Sequence, residues 1–124
     1  MISVEKKARD IKERTFAFAL EIINFVQSID FRNEALRTLG RQLLKSGTSI
    51  GANVEEAQAG QSRADFTSKY AIALKESRET IYWLRLLKEA GMYGDGEALI
   101  KEADEIARII GPIIVSTKNN RRHR

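Results

Sequence analysis

The chain of 124 residues has no cysteine, one proline, one tryptophan and one histidine, the last at position 123. Without cysteine there is no disulfide framework and no thiolate nucleophile, which fits a reducing compartment, and a cytoplasmic location is expected. With the only imidazole in the C-terminal stretch, no Ser-His constellation and no histidine base can form inside a folded region. Bundles that hold paired irons use Glu-x-x-His on facing helices, and that pattern fails here for the same reason. No apolar run approaches the roughly 20 residues a membrane span needs. The opening MISVEKKARD leads into no apolar segment with a small-residue cleavage site, so no secretory leader is expected. These absences favour a non-enzymatic protein without cofactor, metal or membrane association.

What is present is 43% hydrophobic and 31% charged residues, with a formal net charge of +4. The length suits one domain with one core, and the high charged share suits amphipathic helices. Residues 1–117 are expected to form an all-α, antiparallel up-down-up-down four-helix bundle. Residues 118–124, KNNRRHR, lack apolar content and are expected to be a disordered basic tail.

The most informative stretch runs from Gly47 to Leu87. Leu43, Gly47, Ile50, Val54 and Ala57 recur in steps of four and three, as one seam of a helix does, and Phe66, Tyr70, Ala73, Ser77, Thr80, Leu84 and Leu87 repeat the spacing. Between them Gly60 is expected to end one helix in the left-handed conformation, and Ser62 with Asp65 three residues on offers a cap for the next. An antiparallel hairpin follows. A glycine inside a helix costs about 0.8–1.0 kcal/mol relative to alanine, so Gly40, Gly47 and Gly51 need an offset. Gly47 and Gly51 share a face, where a neighbouring backbone could approach closely and the bulk of the aromatic residues be answered. Their spacing fits neither a P-loop nor a dinucleotide fingerprint.

The first helix is expected from near Val4 to near Ser28, with Ser3 as a cap and Ile11, Thr15, Phe18, Ile22, Phe25 and Ile29 as its seam. Phe16, Ala19, Ile23 and Val26 widen that seam, either for a broad core or for a second contact with another subunit. Lys6, Lys7, Arg9, Lys12 and Arg14 crowd its start among Glu5, Asp10 and Glu13, a mixed-sign run that reads as a solvated face. The second helix is expected over Glu34 to Ala59, with Asn33 as a cap and Phe31 as a hydrophobic staple. Counted back from the hairpin turn, Asn53 falls roughly level with Lys69 and Glu56 nearer Phe66, and an interhelical salt bridge or hydrogen bond that fixes register is expected there. A carboxylate site from Glu55, Glu56, Glu76 and Glu79 is disfavoured by their axial separation. Lys75, Glu76, Arg78, Glu79 and Arg85 alternate in sign along the third helix, as a self-satisfied surface does. Tyr82 and Trp83, within IYWLRLL, read as core or interface in preference to base-stacking residues. The fourth helix, capped by Asp95, has Leu99, Ala103, Ile106, Ile110 and Ile113 or Ile114 as its seam; Gly111-Pro112 should kink or end it, and the IIVS run beyond could resume it for a turn.

The runs SGTSIGANVEEA and DFTSKYAIALKESRETIYWLRLL resemble a family of small bacterial four-helix-bundle proteins first noticed as reading frames within intervening sequences of 23S ribosomal RNA genes, the S23-like proteins. The likeness extends from about Arg14 to about Ile110. It implies a bundle that assembles as a ring, a homopentamer. A more distant similarity, to the accessory variability protein of diversity-generating retroelements, implies a reverse transcriptase and its RNA as partners. No catalytic residues are implied.

For function, Arg37, Arg41 and Lys45 repeat four apart as a basic ridge, and with Arg32 before them they are the candidate phosphate contacts inside the fold. Lys118, Arg121, Arg122 and Arg124 of the tail are further candidates, while His123 reads as inert. Two readings stand: an oligomer that binds RNA or DNA by backbone charge, or a structural or protein-binding oligomer without nucleic-acid affinity.

Overall fold

The protein is described from a computed structural model that covers residues 4–60, 62–91, 94 and 96–122, with side chains described for 10–60, 62–91, 94 and 96–119. Four helices follow one another: α1 (Val4–Gln27), α2 (Glu34–Ala59), α3 (Arg63–Glu89) and α4 (Gly96–Arg122). Among the described residues there is no strand. Each helix packs on the next, and α4 returns to α1, so the four stand in a square with no contact across the diagonals among the described residues.

The helix starts follow from local chemistry. Asn33 accepts a hydrogen bond from the Leu36 amide at 3.0 Å, and Ser62 accepts one from the Asp65 amide at 3.0 Å. Each satisfies a donor that the first turn leaves open. The expected caps Ser3 and Asp95, and the cation cluster Lys6, Lys7 and Arg9, lie outside the described side chains. Gly60 corrects one expectation, since it ends α2 in an extended conformation (φ −68°, ψ 156°), its N–H donating to the Ala57 carbonyl. The reversal into α3 is made by extended backbone leading to the Ser62 cap, also extended at φ −133°. The glycines with positive φ are Gly91, at +95° just after α3, and Gly94, at +127°.

The core is the expected one. Ile11, Phe18, Ile22, Leu43, Ile50, Val54, Tyr70, Leu84, Leu87, Ile106 and Ile110 are all essentially inaccessible to water. Burying one such side chain contributes about 1.5–3 kcal/mol, so these seams dominate the favourable side of folding. Two departures from the periodicity matter. Phe16 does not widen the core; it is 59% exposed, with Leu20 one turn further along α1 at 50%. Pro112 does not end α4, which continues to Arg122 and so overlaps the stretch read from composition as an unstructured tail. Pro112 is solvent-facing, whereas Ile113 and Thr117 are buried, so the lost backbone bond is offset by the seam that resumes beyond it.

Gly47 and Gly51 of α2 receive α1, whereas Gly40 receives Ile29 and the ring of Phe31 from the loop before α2. A β-carbon on Gly47 would lie 2.9 Å from both Cγ atoms of Ile22, and one on Gly51 would lie 3.3 Å from the Thr15 backbone. The seam between α2 and α3 is polar at one point, where the buried Ser46 and Thr80 hydroxyls meet at 3.0 Å. Nearer the hairpin turn Lys69 pairs with Glu56 at 3.0 Å, so the interhelical contact is a salt bridge to Glu56, while Asn53, which counting from the turn sets level with Lys69, donates to the Ser49 carbonyl of its own helix. Between α1 and α4, Arg14 donates to Glu102 through Nε at 2.7 Å and Nη2 at 2.6 Å, and also to Glu105.

Candidate nucleic-acid interface

Arg37, Arg41 and Lys45 lie one turn apart on the outer face of α2, so successive charges are separated by about 6 Å along the axis. Arg41 and Lys45 are exposed and Arg37 is half-buried. Among the described residues, none of the three has a carboxylate within ion-pair distance. Lys45 does act on Glu76 through space: burial raises the Glu76 carboxyl above its ordinary range, Glu79 adds to that, and Lys45 and Lys75 oppose it. The ridge is thus a row of cations held in register by a helix and largely unneutralised.

Six other described cations are paired. Lys12 pairs with Glu55 at 3.6 Å, Arg108 with Asp104 at 2.8 Å and Lys88 with Glu97 at 2.5 Å. The paired carboxylates raise the affinities of Arg14, Lys69, Lys88 and Arg108 for their protons. Arg32 belongs with this engaged group. Its Nε and Nη2 donate to the two oxygens of Asp30 at 3.0 and 3.1 Å, and the contact draws the Asp30 carboxyl below its usual range. The arginine remains almost wholly exposed, but any phosphate there competes with a forked carboxylate contact.

The sequence-predicted residues are not brought together in one place. Lys118 is exposed on α4, beside the start of α3 and hence level with the end of α2, roughly 25 Å along the bundle from Arg41. Arg121, Arg122 and Arg124 lie outside the described side chains. Other unpaired cations stand on α3 at the same height along the bundle. The Ser46–Thr80 contact fixes the α2–α3 register, so Lys45 is level with the turn of α3 that carries Tyr82, and Arg41 is level with Arg85. Lys75, Arg78 and Arg85 make no ion pair among the described residues, so the third helix is less self-satisfied than its alternating signs imply. The same four-and-three spacing that marks the apolar seams links Arg78, Tyr82 and Arg85, and that signal was legible.

No group of His, Asp and Glu able to hold a metal occurs among the described residues, and no described helix is long and apolar enough to cross a membrane. The arrangement offers fixed charge and one exposed aromatic ring.

Comparison with known proteins bears on this geometry. The family model for the 23S rRNA-intervening sequence protein matches residues 7–111. A crystal structure of a protein of unknown function from the S23 ribosomal protein family of Bacteroides thetaiotaomicron is 38% identical, with a TM-score of 0.78, covering 87% of this chain and 97% of that one. No curated protein matches. With four helices in the same arrangement and the family pattern spanning most of its length, this chain belongs to the 23S rRNA-intervening sequence protein family.

Proposed function

We propose that this protein is a non-enzymatic helical bundle that assembles with copies of itself and binds RNA or DNA through the phosphate backbone. The observation that carries the reading is the ridge of Arg37, Arg41 and Lys45, three cations one turn apart on a single helix face with no carboxylate at ion-pair distance among the described residues, whereas Lys12, Arg32, Lys69, Lys88 and Arg108 are each paired. Phosphate contacts of this kind give affinity without base identity. Assembly is supported by Phe16 and Leu20, more than half and half exposed on α1, with Leu44 on the adjacent helix. A closed ring of five would carry five times the +4 of one chain, and such a field attracts polyanions strongly at low salt. The experiment is charge reversal. A variant with Arg37→Glu, Arg41→Glu and Lys45→Glu, folded by circular dichroism, should lose binding to labelled RNA; retained affinity would remove the ridge from the site.

A further inference from the structure

Tyr82 is out of place in a bundle whose large apolar residues mostly face inward. Its ring is 53% exposed, whereas its neighbour Trp83 is partly buried against the core. The two rings meet edge to face, with centroids 5.1 Å apart and planes at 69°. Tyr82 is therefore an exposed aromatic surface braced from behind by a fixed one. It forms one wall of a shallow groove between α3 and α4 that is also lined by Arg85, Leu86, Lys88, Glu97 and Ile100.

The charges around the ring decide what the groove suits. Lys88 pairs with Glu97, while Glu89, which also lines the groove, makes no ion pair among the described residues. Arg78 and Arg85, one turn before and one turn after Tyr82 on the same helix, have no carboxylate partner among the described residues. The ring and Arg85 stand at the height of Lys45 and Arg41 along the bundle, but face the groove between α3 and α4. An aromatic face flanked by unpaired guanidinium groups is the combination that stacks a base while neutralising its phosphates.

We infer that Tyr82, with Arg78 and Arg85, forms a stacking platform for an unpaired base, which makes single-stranded nucleic acid the preferred ligand of this protein. The inference rests on the ridge reading above and narrows it, because a duplex keeps its bases stacked on each other and offers Tyr82 nothing. Stacking tolerates any base, so the preference is for strandedness rather than sequence.

The test compares fluorescein-labelled poly(U) with a fully paired RNA duplex, using wild type, Tyr82→Ala, Tyr82→Phe and the triple ridge variant. Tyr82→Ala should weaken poly(U) binding roughly five- to a hundredfold, the equivalent of one lost stacked base, and leave duplex affinity unchanged. Tyr82→Phe should restore poly(U) binding, since it keeps the ring. Equal poly(U) affinity in wild type and Tyr82→Ala, with binding still lost in the ridge variant, would overturn the platform and leave the ridge standing. Light scattering supplies the other refutation: if Tyr82→Ala changes the assembly state and lowers poly(U) and duplex binding alike, the ring is a contact between copies. Absence of binding by wild type to either RNA at low salt would overturn both.

Discussion

Gly47→Ala tests the closest helix approach in the bundle. In an unconstrained helix the change would stabilise by about 0.8–1.0 kcal/mol, because glycine is the poorer helix former. Here the new β-carbon would sit 2.9 Å from both Cγ atoms of Ile22, a separation real β-carbons do not tolerate. Those atoms are the branch point of a stiff side chain, fully buried in the core, so they cannot swing aside. Overpacking of this kind costs about 1–3 kcal/mol. Net destabilisation of about 0.5–2 kcal/mol is expected, or roughly 3–5 °C in Tm per kcal/mol for a chain of this size. Gly40→Ala is the internal comparison, because its β-carbon would meet the mobile Cδ1 of Ile29 at 3.1 Å and the edge of Phe31 at 3.3 Å. It should cost less. Thermal and urea unfolding followed by far-ultraviolet circular dichroism measure both, and a Gly47→Ala protein as stable as wild type, or more so, would refute the packing argument.

Removing Arg14 should destabilise the α1–α4 seam by about 1–2 kcal/mol, since a two-pronged charged hydrogen bond is lost from partly shielded groups. Arg14→Lys should recover only part of that in urea titrations, because an ammonium cannot reproduce the fork. A double-mutant cycle with Ser46→Ala and Thr80→Val should give a coupling of about 0.5–1.5 kcal/mol across the α2–α3 seam, and additive effects would show the hydroxyls to be merely neighbours. Glu76 holds its proton more tightly folded than unfolded, chiefly through burial. Its contribution is therefore most favourable below its unfolded pKa of about 4.5 and is lost as pH rises through the higher folded value. Glu76→Gln should flatten the pH dependence of stability across weak acid and stabilise slightly at neutral pH; an unchanged profile would contradict this.

The helices were legible because one side of each must be dry. Ile11, Phe18, Ile22 and Phe25, like Leu43, Ile50 and Val54, are buried at the positions their spacing predicts. A contact tying α2 to α3 near the hairpin turn was legible too, but counting from the turn sets Lys69 level with Asn53, whereas its partner is Glu56. Periodicity could not say where a widened seam stops, so Phe16 reads as core yet lies past the edge of the α1–α2 contact. Nor could it show that α4 outlasts Pro112, because that depends on Ile113 and Thr117 finding a place against the other helices. The Arg14 clamp joins residues 88 and 91 positions apart, and no local pattern announces such a contact. For the candidate site, the sequence supplied the ridge but not which cations are neutralised. Arg32 looks like its first member until the loop conformation places Asp30 beside it.

The salt dependence of RNA binding by the wild-type protein tests the central claim most directly. Fluorescence anisotropy of a labelled single-stranded RNA, titrated across a salt series, should give a log–log slope at least as steep as about −2, the value for three neutralised phosphates on a single strand. The ridge variant should approach a slope of zero. Affinity that does not change with salt, or no binding even at the lowest salt, would contradict the account.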